Sequence, residues 1–443
     1  MYHKIFRAYD IRGVYGRELT EETARKLGLA TGTIIQEEEF VVGRDSRWSS
    51  PALSKSFIDG FLESGKTVLN VGEVPNPVTY FACWSIKTPG VYVTASHNPP
   101  EYNGFKFIRK DGTSFINEYT FLRSVLEKEA FRHKAGGKVL QEDYLGRYLQ
   151  FLHENIGEVG GVKIVAETFG GVVNKVLHEL SSLTELEIKL IHPDIDPYFY
   201  GSRPEPTEKS LRKLAETVVS QKADFGVGFD GDSDRMVLVD NKGRVLNGSL
   251  TGIILVKYLV KKGDKVVLTP DTSTVLKQTI ENVGGKVIWS RIGHGFIEEK
   301  VRDTGAVLGI EQSSHFYPGY LYPFSDGIFT MLLVGKIVRE LGPIDSLLED
   351  VKIPYMAKIY INAGNDLVKR KVVEEFREMF PEALVFEDGL KIFLEDGWIL
   401  IRESQTMPEV NLAIEASSEK RFRELFEEYK QKIEEKIKEI KGF

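Results

Sequence analysis

The sequence predicts an α/β protein: three similar α/β domains with mixed sheets plus a C-terminal α+β domain, set around a central cleft. Three observations carry this reading. The chain has 443 residues, more than one hydrophobic core usually serves when domains run to roughly 100–200 residues. A pattern of strands alternating with helical spacing occurs three times along it. A stretch of different character then closes it. Divisions are expected at 1–148, 149–247, 248–356 and 357–443.

The first strands of the repeat are Phe40–Ser46, Val162–Thr168 and Lys265–Thr272, each a β-branched run ending in a polar turn. Second strands follow at Thr67–Val71, Leu186–Ile191 and Lys286–Trp289, and third strands at Gly90–Thr94, Asp224–Gly228 and Ala306–Gly309. Continuous apolar runs separated by helical spacing indicate sheets buried on both faces. Short Val-rich strands recur in any α/β protein, so the repeat rests on a second match. Each third strand runs into a distinctive polar loop: Thr94-Ala95-Ser96-His97-Asn98-Pro99, Asp230-Gly231-Asp232-Ser233-Asp234-Arg235 and Glu311-Gln312-Ser313-Ser314-His315. Ligands of α/β sheets sit beyond the carboxyl ends of strands, so three such loops predict one shared cleft.

From Ala357 onward the pattern changes. A strand at Lys358–Ile361 precedes a helix near Leu367–Met379, and strands near Lys391–Leu394 and Trp398–Ile401 follow. After one more strand, Phe422, Leu425, Phe426, Tyr429, Ile433, Ile437 and Ile440 keep the spacing of a helix with one apolar stripe. Ser417 or Ser418 is its expected N-cap and Gly442 its stop.

Composition narrows the function classes. Apolar residues make up 42% and charged residues 28%, as in ordinary globular proteins, and the net charge of −7 gives no general attraction to nucleic acid or anionic membrane. No run of about 18 apolar residues occurs, so a membrane span is not expected. Cys83 is the only cysteine, which excludes an internal disulfide and favours a cytoplasmic location.

The acidic loop is the most specific motif. Asp230, Asp232 and Asp234 alternate at i, i+2 and i+4, a spacing that lets three carboxylates converge on one hard cation such as Mg²⁺. An EF-hand would need Gly at its sixth position and Glu at its twelfth, where Arg235 and Asn241 stand. Gly226-Val227-Gly228-Phe229-Asp230-Gly231 matches a dinucleotide fingerprint in form, but a strand, Met236–Asp240, follows it where a helix is required.

Ser96 stands just past a buried strand. A free serine is a poor nucleophile, whereas a phosphoserine there is a phosphoryl donor whose charge metal and basic groups can counter. His97 reads as a ring that packs or caps this loop. Basic groups for phosphate are Arg7, Arg12, Lys106, Arg235, Arg291 and His294. Each alone reads as a surface charge; their nearness to the loops favours a ligand role. Arg402, Ser404 and Thr406 form a loop after a strand, where guanidinium, hydroxyls and backbone N–H groups make a phosphate cradle. Glu311 and Ser313 suit neighbouring sugar hydroxyls, and His315 suits binding or proton transfer.

Together these residues resemble the α-D-phosphohexomutase superfamily, of the phosphomannomutase/phosphoglucomutase type. The resemblance spans nearly the whole chain, with motifs in four places. It implies four domains and a mutase that interconverts hexose 1-phosphate and hexose 6-phosphate, of mannose or glucose, through a hexose 1,6-bisphosphate intermediate that also serves as activator. By resemblance Ser96 is the phosphoserine, and one Mg²⁺ per chain is held by Asp230, Asp232, Asp234 and the Ser96 phosphate. Arg12, Lys106, Arg235 and His97 are placed in the catalytic set, with Lys106 a candidate general acid/base. Glu311, Ser313, His315, Arg291, His294, Arg402, Ser404, Gln405 and Thr406 are placed in substrate binding. The implied partner is a small sugar phosphate, without nucleic acid or membrane, and the chain is expected to be a monomer or homodimer.

Departures from the family pattern fall in the substrate loops. Ile310 and Ser314 stand where Gly is usual, Gln405 where Gly or Asn is usual, Met407 where Glu or Thr is common, and Arg291 where Lys is frequent. Glu403 adds a negative charge that must point away from a bound phosphate. Alternatives within the family are phosphoglucosamine mutase and phosphopentomutase. Outside it stand a metal-dependent sugar phosphatase, which has no need of a second phosphate loop, and a non-catalytic sensor, which has no need of both Ser96 and the acidic triplet.

Overall fold

A computed structural model of the chain describes residues 2–7, 10–404 and 407–442. It contains four sheets of six, five, four and five strands. In the first, Glu39–Arg44 lies between Thr67–Glu73 and Gly90–Val93 and is parallel to both. Lys163–Glu167 takes the same place in the second sheet, between Glu187–Ile191 and Phe225–Phe229. Lys265–Leu268 takes it in the third, between Lys286–Trp289 and Leu308–Ile310. The repeat is therefore structural: the first strand is central, and the second and third flank it.

Each third strand then turns back on an antiparallel partner, which makes the sheets mixed. The partners are Tyr102–Ile108, Met236–Val239 and Phe316–Tyr317. The three polar loops are thus hairpin connections at the carboxyl ends of the third strands, which is why they meet at one side of the molecule.

One apolar cluster runs through all three of these sheets and includes Val41, Tyr92, Ile164, Phe229, Leu268 and Ile310. Burying a side chain of this size contributes about 1.5–3 kcal/mol relative to exposure, so a shared cluster welds the three domains together. Their contact faces also carry polar ties. Ser114 N donates to Glu298 Oε2 at 2.6 Å, Arg109 Nη1 to Glu299 Oε1 at 2.7 Å, and Arg302 Nη1 to Asp111 Oδ2 at 2.6 Å.

The C-terminal domain is a separate antiparallel sheet, ordered Tyr355–Asn362, Glu409–Ala416, Gly397–Glu403, Gly389–Leu394, Leu384–Phe386. The helices Asp366–Met379 and Glu419–Lys441 cover one face with their own apolar cluster. Leu425, Tyr429, Ile433 and Ile437 form the buried stripe, Ser418 Oγ accepts from Arg421 N at 3.3 Å, and Gly442 ends the helix at φ 79°.

This domain meets the third through a small polar and aromatic contact. Glu415 Oε1 accepts from Thr274 N at 2.9 Å, at the start of the helix Thr274–Asn282. Lys391 Nζ donates to Thr272 O at 3.1 Å and lies 4.3 Å from the ring centre of Trp398 and 4.8 Å from that of Trp289. Burial pulls the Lys391 ammonium down to about 7, against the pull of Glu415 and Asp271. No described helix is long and apolar enough to cross a membrane.

Candidate active site

A cleft of about 1010 Å³ opens between the four domains. The first domain contributes Arg7, Arg12, Ser96, His97 and Lys106, and the second Asp234 and Arg235. The third contributes Arg291, His294, Glu311, Ser313 and His315, and the fourth Asp366, Lys369, Arg370, Glu403 and Ser404.

The serine loop is built from below by Asp45 and Arg47. The Arg47 guanidinium, fully buried, donates to Ser96 O at 2.5 Å, Asn98 O at 2.8 Å, Pro99 O at 2.8 Å and Tyr102 O at 3.1 Å. Asp45 Oδ2 accepts from Arg47 Nε at 3.1 Å and from Thr94 Oγ1 at 2.7 Å, and Thr94 Oγ1 accepts from Ser96 N at 2.8 Å. These bonds hold Ser96 in the left-handed region at φ 51°, a conformation that costs a non-glycine residue about 1–3 kcal/mol unless its surroundings enforce it. Neither residue was singled out in the sequence. Their position just after the first strand of the repeat is the signal that points to them.

The acidic loop is the connection between Phe225–Phe229 and Met236–Val239. Asp230 Oδ1 accepts from Ser233 N at 3.1 Å, and Asp230 Oδ2 from Ser96 Oγ at 2.7 Å and Arg235 Nε at 3.0 Å. Gly231 packs so closely on the serine loop that a Cβ there would lie 2.6 Å from Ser96 O. Lys106, delivered by the strand antiparallel to the third, donates to Asp232 Oδ2 at 2.7 Å and Asp234 Oδ2 at 2.6 Å.

The residues present fit a cation. One oxygen from each of the three buried aspartates lies within 4.8 Å of the others. Among the described residues Asp232 Oδ1 has no hydrogen-bond partner, and Asp234 Oδ1 faces only His315 Nε2 at 3.3 Å. Burial and the neighbouring Asp234 push the Asp232 carboxyl up. Burial also opposes ionisation of Asp234, but Lys106 and His315 outweigh it and hold that carboxyl low. The loop thus holds carboxylate oxygen that the described donors leave without a hydrogen bond.

The basic groups divide into two kinds. Burial works against the Lys106 ammonium, yet Asp232 and Asp234 outweigh it and raise its pKa above the ordinary lysine value. Burial, followed by Arg235 and Arg12, holds the His97 imidazole far below its ordinary range. His97 Nδ1 contacts Arg235 Nη2 and lies 3.2 Å from Ser96 Oγ. Its ring is thus enclosed by the serine loop and Arg235. Arg12 spans Asn98 Oδ1 at 3.1 Å and Asp10 Oδ2 at 2.6 Å.

The third loop is zipped to the second. Met236 N donates to Ser314 O at 3.1 Å, and Arg235 and His315 form an isolated bridge. Ser314 sits at φ 67°, the region where glycine is at ease, which accounts for the glycine usual there in the family. Glu311 Oε1 accepts from Tyr317 OH at 2.5 Å, burial pushes its carboxyl up, and Ser313 Oγ lies 2.9 Å from His315 Nδ1. Burial lowers the His315 imidazole, but Asp234 and Glu311 more than offset it and raise its pKa. His294 opens the helix His294–Thr304 behind Gly293, and Arg291 lies over the Phe296 ring and pairs with Glu387 of the fourth domain.

The fourth loop departs most from expectation. Arg402 does not line the cleft: its guanidinium is buried, with Nε 3.0 Å and Nη2 2.5 Å from Asp388 Oδ2. Gln405 and Thr406 lie outside the described residues. Ser404 lines the cleft, and its carbonyl accepts from Lys369 Nζ at 2.8 Å. Glu403 lines the cleft and faces Arg370 at 3.8 Å. Lys369, Arg370 and Asp388 carry no motif that marks them in the sequence.

Comparison with known proteins agrees with this layout. The phosphoglucomutase/phosphomannomutase α/β/α domain I family matches residues 3–132, domain II 144–243 and domain III 247–354, and the C-terminal domain family matches 366–432. The chain is 32% identical to a "Probable phosphoglucosamine mutase" of Pyrococcus abyssi, over 98% of this chain and 99% of that one. It is 31% identical to a phosphomannomutase/phosphoglucomutase of Pseudomonas aeruginosa, over 94% and 92%. It superposes with a TM-score of 0.90 on the crystal structure of a phosphoglucomutase/phosphomannomutase family protein from Burkholderia thailandensis, at 27% identity over 98% and 97% of the chains. With four family matches in order along one chain, and a serine loop and acidic loop facing each other in its cleft, the chain belongs to the phosphoglucomutase/phosphomannomutase family of the α-D-phosphohexomutase superfamily.

Proposed function

We propose that this chain is an intramolecular phosphotransferase that interconverts hexose 1-phosphate and hexose 6-phosphate, of mannose or glucose, through a phosphorylated Ser96. The observation that carries the reading is the 2.7 Å contact between Ser96 Oγ and Asp230 Oδ2 at the floor of a cleft shared by four domains. In the first step the free hydroxyl of the bound monophosphate attacks the Ser96 phosphoryl group, and the Ser96 Oγ–P bond breaks. The resulting hexose 1,6-bisphosphate turns over in the cleft, and Ser96 Oγ takes its other phosphoryl group. Asp230, Asp232 and Asp234 would hold one Mg²⁺, which supplies charge neutralisation and orientation of the transferring group. Arg12 and Arg235 counter the remaining charge. Lys106 is the candidate general acid/base by its place in the family motif, and beside two carboxylates its charged ammonium also counters charge on the transferring group.

Glu311, Ser313 and His315 are assigned to the sugar, Arg291 and His294 to its phosphate. Ser404 with Gln405 and Thr406 is assigned to the phosphate that is not reacting, and Arg402 stiffens that loop through Asp388. Domain limits at 148, 247 and 356 are part of the same proposal. The names of the relatives divide between hexose and glucosamine enzymes, and the Glu311-Gln312-Ser313 triplet is common in the latter, so glucosamine 1-phosphate is the second substrate to test. A panel of mannose, glucose, glucosamine and ribose 1-phosphates, assayed with and without glucose 1,6-bisphosphate, decides the matter. Conversion of mannose or glucose 1-phosphate fastest, with activation by the bisphosphate, is expected. Release of inorganic phosphate in place of isomerisation would overturn the reading.

A further inference from the structure

We infer that Asn76, a residue of the first domain, is a positioning residue for the cation loop of the second. The inference rests on the reading that the aspartate triplet binds a divalent cation. Asn76 is 2% exposed and opens the helix Asn76–Ile86. Its Nδ2 donates to Asp234 Oδ2 at 2.8 Å, and its backbone N donates to Asp232 O at 2.9 Å. One residue thus grips two of the three aspartates, and it belongs to the domain that carries Ser96. Its partner residue Asp234 is 158 positions away in the chain.

Two donors reach Asp234 Oδ2: the Asn76 amide and the Lys106 ammonium. Both come from the first domain, and together they fix the Asp234 carboxylate through Oδ2, leaving Oδ1, 3.3 Å from His315 Nε2, clear of both donors. The two donors respond differently to a bound cation. The ammonium is repelled by a second positive charge a few ångströms away, whereas a neutral amide is not. The Asn76 bond is therefore the one that keeps Asp234 oriented once the loop is loaded. Groups that orient a metal ligand from behind typically govern metal affinity or activity by about 10–100-fold. The backbone bond to Asp232 O adds a second constraint and satisfies a helix-start N–H that would otherwise lack a partner.

Calorimetric titration of dephosphorylated protein with Mn²⁺ tests this, comparing wild type with Asn76→Ala at a temperature where both are folded. Weakening of the Mn²⁺ Kd by about 10–100-fold is expected, with the Mg²⁺ concentration for half-maximal turnover rising in parallel. At saturating Mg²⁺ the KM for sugar phosphate should stay within about twofold of wild type, because Asn76 does not touch the cleft. A residue that only stabilised the helix would lower the melting temperature and leave the Mn²⁺ Kd unchanged, and that result overturns the inference. Should Asn76→Ala fail to fold, Asn76→Ser, which shortens the side chain but keeps a polar helix start, is held to the same two outcomes. Wild-type protein that binds no Mn²⁺ overturns the cation reading itself, and the inference with it.

Discussion

Ser96 Oγ donates to Asp230 Oδ2 at 2.7 Å across the boundary between the first and second domains. Under the proposed function, the hydroxyl that would carry phosphate lies against a carboxylate that would hold the cation. Ser96→Ala is expected to abolish nearly all turnover while leaving the melting temperature and sugar-phosphate binding close to wild type. Intact-mass and peptide mass analysis of the wild type should place phosphate on Ser96. Phosphate found solely on another residue would refute the assignment.

Removal of the cation should act on the chemical step. Asp232→Asn keeps the shape of the loop but removes charge from a carboxyl whose Oδ1 is buried without a partner. It is expected to lower kcat by at least about tenfold with little change in KM. Wild-type enzyme treated with a chelator should lose turnover and regain it with Mg²⁺. Full activity in the chelator would dismiss a catalytic cation.

Gly231 is a contact between loops rather than a flexible link. A methyl group there would press on Ser96 O from 2.6 Å and on Pro204 Cγ from 2.9 Å. Overpacking of this kind costs about 1–3 kcal/mol, and relief requires the two loops to part. Gly231→Ala is expected to fold, to retain Mn²⁺ binding and to lose at least about tenfold in kcat. Wild-type kcat in that variant would show that the spacing of the loops is not critical.

Arg402 and Asp388 should be judged as a pair. Breaking a buried ion pair from one side costs about 3–5 kcal/mol, so Arg402→Ala is expected to lower stability as well as raise KM. Both the 1-phosphosugar and the 6-phosphosugar should be affected, because either can present its distal phosphate to the fourth domain. The double variant Arg402→Gln/Asp388→Asn should regain stability but not affinity. A KM increase for one isomer alone would show that this loop does not serve both orientations.

Glu298 gives stability a dependence on pH. Enclosed between the first and third domains, its carboxyl is pushed by burial from 4.5 up to about 8. The folded protein therefore keeps a proton that the unfolded chain releases near 4.5. Between those two values the unfolded state binds fewer protons, so stability falls as pH rises, by up to about 1.4 kcal/mol per unit. The contribution is complete below the lower value and lost as pH passes the upper one. Glu298→Gln keeps an oxygen for Ser114 N and removes the titration. Its melting temperature should decline less than that of wild type between about pH 5 and pH 8.5. Parallel declines in the two proteins would refute the shift.

The strands of the repeat were legible because each is buried on both faces and so reads as an unbroken apolar run. Lys138–Gln141, an exposed edge strand of the first sheet, has no such run and left no trace. Phe316–Tyr317 was equally silent because it is two residues long. Ser96 and the aspartate triplet were legible because their loops follow strands at equivalent places. Arg47, Asn76 and Asp388 were not, for a physical reason. Arg47 acts on carbonyl oxygens, which every residue has, and Asn76 and Asp388 act on partners that only folding brings near. A reading of residue types sees donors and acceptors of unusual chemistry; it does not see ordinary ones used in unusual places.

The contact of Glu415 with Thr274 N ties the start of a third-domain helix to the C-terminal domain. That amide belongs to the first turn of Thr274–Asn282, where backbone donors have no partner within the helix. Were the C-terminal domain to part from the third, the carboxylate would leave with it and the amide would meet water. Hydrogen exchange at Thr274 would then count opening events directly, without substrate, label or turnover. The enzyme would carry a built-in reporter of the contact between its third and fourth domains.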